Sequence, residues 1–343
     1  MRVLITGGTG IVGKSTTERL IRNGHDVRVI GIEPDVTISG AEYVQCDILD
    51  YNAVLEQARG CEGIIHLAAI RNPMLASAPD VFQVNVAGTF NVFEAAAACG
   101  IKRVVQASSI NAVGYFYGVV EPRTHYLPMD EDHPRAPSDP YSFSKQAIED
   151  IGEYYWRRDG ISSVAMRFPG VYAASSTSGD AFLKRRDSAL NRIIDELRQR
   201  PEAEQKAVIA DVHQRALAYR ATRPMEFNPG NPNAGFRSFP DDPLFAAYIY
   251  QRYNFWAIVD ERDSAQSLEK GLLADYEGAH PLFINDDHNA LLYDARELAH
   301  LFFPEVTEFK SGLSGTASLV SIERARQLIG FQPEHSVSKL ASS

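Results

Sequence analysis

The residues that constrain this chain most are Thr6-Gly7-Gly8-Thr9-Gly10-Ile11-Val12-Gly13. They follow a short apolar run, Arg2–Thr6, and open an amphipathic stretch, Ile11–Asn23. Glycines between a strand and a helix allow a backbone to approach an anion closely. Read as G-x-x-G-x-x-G, Gly7 makes the tight turn off the strand, Gly10 admits a pyrophosphate, and Gly13 lets the helix pack on the sheet. The helix N-terminus adds N–H donors and a favourable dipole. Thr9, Ile11 and Val12, between these glycines, join them as candidate cofactor contacts. The spacing Gly8…Gly13-Lys14-Ser15 also fits a phosphate-binding P-loop, with Lys14 on a triphosphate and Ser15 on magnesium. The rest of the chain favours the dinucleotide reading.

Strand-like runs recur at Val27–Ile32, Tyr43–Cys46, Gly63–Leu67, Arg103–Ala107 and Ser162–Arg167. Helical patterns at Asn52–Arg59, Asp80–Cys99 and Tyr141–Arg158 lie between them, with a Pro-rich loop at Glu121–Pro140. This alternation predicts an α/β fold, a Rossmann doubly wound parallel sheet. The rhythm then breaks. Asp180–Thr222 reads as two charged amphipathic helices meeting near Pro201, followed by a Pro/Asn/Gly-rich segment. Strand-like and helical segments resume from Ala257. The expected organisation is a dinucleotide-binding domain at 1–175, a helical insertion at 176–250 acting as a lid or interface, and the remainder of the sheet with a smaller C-terminal α/β substrate-binding domain at 251–343.

Composition narrows the class. A net charge of −10 over 343 residues argues against a general nucleic-acid binder. The cysteines Cys46, Cys61 and Cys99 form no CxxC pair, and no His cluster has zinc spacing, so no metal site is expected. No apolar run approaches a membrane span, and Val3-Leu4-Ile5 is too short for a signal core. A cytoplasmic protein without a membrane partner is expected.

Tyr141-Ser142-Phe143-Ser144-Lys145 is Y-x-x-x-K at the start of a helix, which places both side chains on one face. Ala107-Ser108-Ser109 ends a strand upstream. A free phenol is a poor base at neutral pH, and a neighbouring ammonium lowers its pKa. Lys145 is one turn from Tyr141 and suits that task.

The glycine loop, the serine and Tyr-x-x-x-Lys, in this order, resemble the extended short-chain dehydrogenase/reductase family, the NAD-dependent epimerase/dehydratase group. His66-Leu67-Ala68-Ala69, Asn85-Val86-x-Gly88-Thr89 and Arg167-Phe168-Pro169-Gly170-Val171-Tyr172 extend the resemblance. It covers residues 1–175 well, 255–335 loosely, and 180–250 not at all. It implies Tyr141 as acid/base, Lys145 as its partner and ribose contact, and Ser109 as the hydrogen bond to the substrate oxygen. Ser109 is preferred to Ser108 because it lies five residues before Gly114. Leu67, Ala68, Ala69, Asn85, Phe168 and Pro169 are further implied cofactor positions. A homodimer through the helices Asp80–Cys99 and Tyr141–Arg158 is implied as well.

The resemblance places an acidic residue at the end of the second strand in NAD-specific members. Gly31 stands there, and Glu33, two residues on, is the expected substitute. No Arg or Lys occurs at 31–35 to receive a 2′-phosphate, so NAD is expected over NADP. Asp47-Ile48 matches the adenine-contacting pair.

Nucleotide-sugar members carry Asn where this chain has Gly170, and an Arg where the alignment puts Trp256. Arg237, Arg252 or Arg262 could compensate. The stretch Ser108–Tyr115 looks more like uronate and aldose dehydrogenases of the family. The expected substrate is therefore a sugar, sugar acid or related polyol. Candidate contacts are Arg71 to an anionic group, Ser109, Asn111 to hydroxyls, Gly170, and Trp256 stacking on a ring. An NAD-retaining sugar or nucleotide-sugar epimerase is the alternative. A non-catalytic dinucleotide-sensing regulator is the second alternative, disfavoured because Tyr141 and Lys145 both remain.

Overall fold

The computed structural model describes residues 1–173, 189–230 and 242–340. Eleven strands are present among these residues: β1 Arg2–Thr6, β2 Asp26–Gly31, β3 Glu42–Gln45, β4 Gly63–His66, β5 Arg103–Ser109, β6 Tyr126–Leu127, β7 Ser162–Phe168, β8 Gly170–Tyr172, β9 Ile258–Asp260, β10 Ala279–Phe283 and β11 Glu308–Phe309. Seven form one sheet in the order β10-β7-β5-β4-β1-β2-β3. Every pairing in it is parallel.

The strands read as apolar runs because both faces are covered. β4 and β7 are buried at every position. One core cluster contains Ile5, Val29, Val105 and Met166, and a second contains Leu4, Ile30, Ile64 and Val104. Alternate residues along one strand feed opposite faces, the period of two a strand imposes. The strand order reverses between β1 and β4, and the crevice there opens at the carboxyl ends of the strands.

Two expected elements differ. The helix read as Asp80–Cys99 is an α turn at Ala78–Phe82, a π turn at Gln83–Ala87, and a helix at Gly88–Ala98. A wider turn of this kind often marks a functional position, and this one holds Asn85. The loop Glu121–Pro140 contains β6, which pairs in parallel with β11. Its partner lies far along the chain, so the local pattern gave no strand signal.

The insertion forms helices at Ala189–Arg198 and Glu202–Ala221, on either side of Pro201. Ile194 and Leu197 of the expected apolar face are buried, and Ile193 packs partly buried against the same core. Residues 174–188 and 231–241, with Arg237, lie outside the described residues. Among the described residues no helix is long and apolar enough to cross a membrane. Cys46 and Cys61 are buried and Cys99 is partly so, and none is bonded to another.

Candidate active site

β1 ends at Thr6 and the chain turns at Gly7, with φ of +69°. A Cβ there would lie 2.6 Å from the Ala68 amide nitrogen, so no side chain fits. A Cβ on Gly13 would lie 2.5 Å from Gly8 Cα, which is what lets the helix Ile11–Arg22 sit on the sheet. Gly10 is the contrast: its Cβ position faces only Gly7 O, at 3.6 Å. No side chain caps that helix. Its first amides thus remain for an anion. The cradle is tight at Gly7 and Gly13 and open at Gly10, and it fits a pyrophosphate. Thr9, Ile11 and Val12 follow its rim.

Glu33 reaches back over this loop. Its Oε1 accepts from Thr9 Oγ1 at 3.0 Å, and its Oε2 lies 2.7 Å from where a Cβ on Gly31 would stand. The carboxylate thus occupies the start of the missing side chain. Lys14 lines the same hollow of about 280 Å³, a basic group that reading residues 31–35 alone missed. Asp47 Oδ1 accepts from the Leu49 amide at 2.9 Å, and Ile48 is buried beneath Gly88.

The segment Leu67–Ala69 is held by groups the sequence did not assign. Thr89 Oγ1 donates to Asn85 O at 2.5 Å and lies 2.9 Å from His66 Nε2. His66 Nδ1 lies 2.7 Å from Thr6 Oγ1, which accepts from the Leu67 and Ala68 amides. With its proton spent on Asn85 O, the Thr89 hydroxyl accepts from His66 Nε2–H, and Nδ1 accepts from Thr6. Burial drives the His66 pKa down to about 3, with the Lys145 charge adding to the fall. The ring is neutral, in one tautomer, and fixes the loop facing Gly7. Asn85, expected as a cofactor contact, is instead spent inside the protein. Its Oδ1 accepts from the Ile70 amide at 2.7 Å, and its Nδ2 donates to Ile70 O and Ser144 Oγ, both at 2.9 Å.

Asp139 caps the helix Pro140–Asp159 by accepting from the Ser142 amide at 2.8 Å, Pro140 fits its first turn, and Gly160 ends it at φ +63°. Tyr141 and Lys145 share its buried face. Lys145 Nζ donates to Ala107 O at 2.7 Å and lies 5.8 Å from the Tyr141 ring centroid. Burial pushes the Tyr141 phenol up to about 12, a hydrogen bond from Ser109 opposes this, and the Asp139 charge adds to it. Burial outweighs the lowering groups around the phenol, and Ser109 is the one that pulls it down. Burial also lowers the Lys145 amine to about 8, against the charge of Glu149.

The two serines have different partners. Ser108 Oγ donates to Glu149 Oε1 at 2.7 Å, behind the strand. Ser109 Oγ accepts from the Asn111 amide at 3.1 Å and lines a cleft of about 620 Å³ with Tyr141. Phe168 lies opposite Ser109 in the β5–β7 register, and Pro169 continues the wall.

Arg71, Asn111, Gly170 and Trp256 line this same cleft, so all five expected substrate residues meet there. Asn111 is buried and its Oδ1 has no partner. A buried acceptor left so costs on the order of 1–3 kcal/mol. Gly170 is placed by β8, paired with Ile258 of β9. Trp256 is corrected from stacking platform to wall: it is 2% exposed, bonded to Gln251 Oε1, and packed on Phe302 at 4.9 Å. Sequence reading missed Phe116, Tyr117, Tyr172 and Tyr250 as lining residues, aromatics scattered across three segments. Arg252 does not reach the cleft. It is buried on Glu121 at 2.6 Å and Phe302 O at 2.7 Å. Arg262 pairs with Asp260 at 2.8 Å.

The sequence matches the NAD dependent epimerase/dehydratase family over residues 3–214. An L-arabinose 1-dehydrogenase (NAD(P)(+)) from Haloferax volcanii is 31% identical over 254 residues, covering 71% of this chain and 85% of that protein. A uronate dehydrogenase from Pseudomonas putida is 33% identical over 168 residues, covering 48% of this chain and 59% of that protein. Among solved structures, a short-chain dehydrogenase/reductase superfamily protein from Agrobacterium tumefaciens with bound NAD superposes at a TM-score of 0.62. It is 23% identical, and the match covers 100% of this chain and 95% of that one. That last likeness is one of fold.

Proposed function

The chain belongs to the NAD dependent epimerase/dehydratase family, and on that premise we propose that it is an NAD-dependent dehydrogenase acting on the carbinol of a free sugar, sugar acid or related polyol. The observation that carries this reading is the cleft. Ser109, Tyr141 and Asn111 line it, and Arg71 is the one formally charged residue among the described residues lining it. The Arg71 guanidinium suits a monoanionic or neutral polyol.

NAD, when bound, supplies the hydride acceptor. The loop of Gly7, Gly10 and Gly13 would hold its pyrophosphate, Glu33 its ribose hydroxyls, Asp47 and Ile48 its adenine. Leu67–Ala69, Phe168 and Pro169 would flank the nicotinamide end. Ser109 orients the substrate hydroxyl toward Tyr141. Tyr141, as the phenolate, takes the hydroxyl proton at its oxygen and becomes the neutral phenol, and Lys145 supplies the positive charge that favours the phenolate beforehand. In reverse, the neutral phenol that burial favours is already the proton donor.

The insertion acts as a cap on this cleft. Arg220 Nη1 donates to Phe116 O at 3.5 Å, and the Phe227 amide donates to Pro73 O at 2.9 Å, so it touches both rims. The helix Pro243–Gln251 adds Tyr250 and Gln251 to the lining. The protein is a cytoplasmic homodimer in this reading. The support is an aromatic stripe on the helices Gly88–Ala98 and Pro140–Asp159 and the turn before them: Phe82, Phe90, Phe143 and Tyr154 are all at least 40% exposed. Phe82 stacks on Phe143, and Phe90 on Tyr154, each at 6.2 Å.

The test is a substrate panel. With added NAD, free aldoses and uronates are expected to produce reduced nicotinamide. Turnover of UDP-sugars alone, without net NAD reduction, would replace this reading with the epimerase.

A further inference from the structure

Behind the catalytic helix lies a charged cluster that the reaction as described does not use. Glu149 sits one helical turn beyond Lys145 and is 5% exposed. Its carboxylate accepts from four groups on three other segments. Ser108 Oγ on β5 donates at 2.7 Å, Arg167 Nε and Nη2 on β7 at 2.9 and 2.8 Å, and Arg135 Nη1 on the preceding loop at 3.1 Å. Arg167 is itself 1% exposed, so the pair is an ion pair out of water. Removing one partner of such a pair is strongly destabilising, whereas the intact pair adds little net stability, so its use is better sought in geometry and charge than in stability.

The placement is informative. Ser108 precedes Ser109, Arg167 precedes Phe168, and the two pairs are partners in the β5–β7 register. Lys145 itself bonds Ala107 O, one residue before Ser108. One carboxylate therefore ties together the ends of the three elements that carry Ser109, the Tyr141–Lys145 pair and the Phe168–Pro169 wall. We propose that Glu149 is a positioning residue of this active site, clamped by Ser108, Arg135 and Arg167, and that it supplies the counter-charge that keeps Lys145 in its ammonium form.

The groups facing the pair are these. Lys145 meets Tyr141 on its own helix, His66 on β4 and the Ala107 carbonyl on β5, and His66 is neutral. Glu149 meets Ser108, Arg135 and Arg167, and Arg135 is shared with Asp150 at 3.1 Å. Glu131, Asp132, Glu153, His280 and Arg324 line the small hollow beyond them. Glu149 opposes the burial that lowers Lys145. Arg135, 29% exposed, in turn offsets part of the Glu149 charge. The two residues thus act on Lys145 with opposite sign.

The proposal rests on the role given to Lys145 above. The test is the alkaline limb of the kcat–pH profile in wild type, Glu149→Gln and Arg135→Gln. A parallel NMR titration uses cofactor-free protein with 13C-labelled lysine side chains, with Lys145 assigned through Lys145→Arg. Glu149→Gln is expected to move the Lys145 titration and the alkaline limb down by about one pH unit, a roughly tenfold further loss above the limb relative to the rate the variant keeps below it. Arg135→Gln, at a partly exposed site, is expected to move both up, and Glu149→Asp to keep both near wild type. A merely structural role lowers activity in both variants equally at every pH and leaves the NMR titration in place, and that result overturns the proposal. Should Glu149→Gln fail to fold, the direction of the Arg135→Gln shift decides alone. A wild-type Lys145 that titrates with no matching limb in activity removes the role given to Lys145, and the proposal with it.

Discussion

The Glu33 carboxylate stands where a side chain on Gly31 would begin, 2.7 Å from that Cβ position. A residue two places past the strand end thereby brings an acid back beside it, which the proposed function assigns to a ribose diol. A charged acceptor bonded to a hydroxyl contributes about 1.5–3 kcal/mol, roughly ten- to hundredfold in binding. Glu33→Gln is expected to raise the NAD Kd by about tenfold with kcat nearly unchanged. It is also expected to narrow the preference over NADP, because Lys14 then lines the hollow without its acid. Coenzyme titrations of both variants check this.

The neutral His66 makes an acid-stability statement. Its folded pKa of about 3 lies below the unfolded value, so the unfolded chain takes up a proton first as pH falls. The contribution is fully present above the unfolded value of about 6.5 and is lost progressively below it, by up to about 1.4 kcal/mol per pH unit until the folded pKa is reached. Denaturant midpoints at pH 7 and pH 5 are expected to show this fall. In Thr89→Val the Nε2–H loses its acceptor, and a loss of about 1–3 kcal/mol is expected even at pH 7.

The exposed aromatic stripe gives an assembly prediction. Phe143→Glu combined with Phe90→Glu places charges in the proposed contact between copies. Light scattering is expected to report a dimer for wild type and a monomer for the double variant, with the monomer still folded by circular dichroism. A wild-type monomer at high concentration would remove the dimer.

Much of this site was legible because its signals are local. The loop from Gly7 to Gly13 and the pair Tyr141 and Lys145 each lie within one turn and the element beside it, and β1, β4 and β5 read directly as apolar runs. The remainder depends on residues that meet only in three dimensions. Ser108, Glu149 and Arg167 are 41 and 18 residues apart along the chain, and each alone reads as an ordinary polar position. Thr6, His66 and Thr89 come from three different elements. The π turn at Gln83–Ala87 escaped notice because apolar spacing reads through it as continuous helix. Tyr141 illustrates the limit on energetics: spacing places an ammonium nearby, but how far burial raises the phenol depends on the packed surroundings.

The central claim is that Tyr141 moves the proton for an NAD-linked oxidation. The most direct measurement is Tyr141→Phe against wild type, with NAD reduction on an active free sugar or sugar acid followed alongside NAD affinity. The ring is kept and only the hydroxyl is lost, so binding is expected to be unchanged. The expected loss in kcat is about 10²–10⁴-fold, the usual contribution of a general acid–base group. Turnover of Tyr141→Phe within a few-fold of wild type would contradict the assignment.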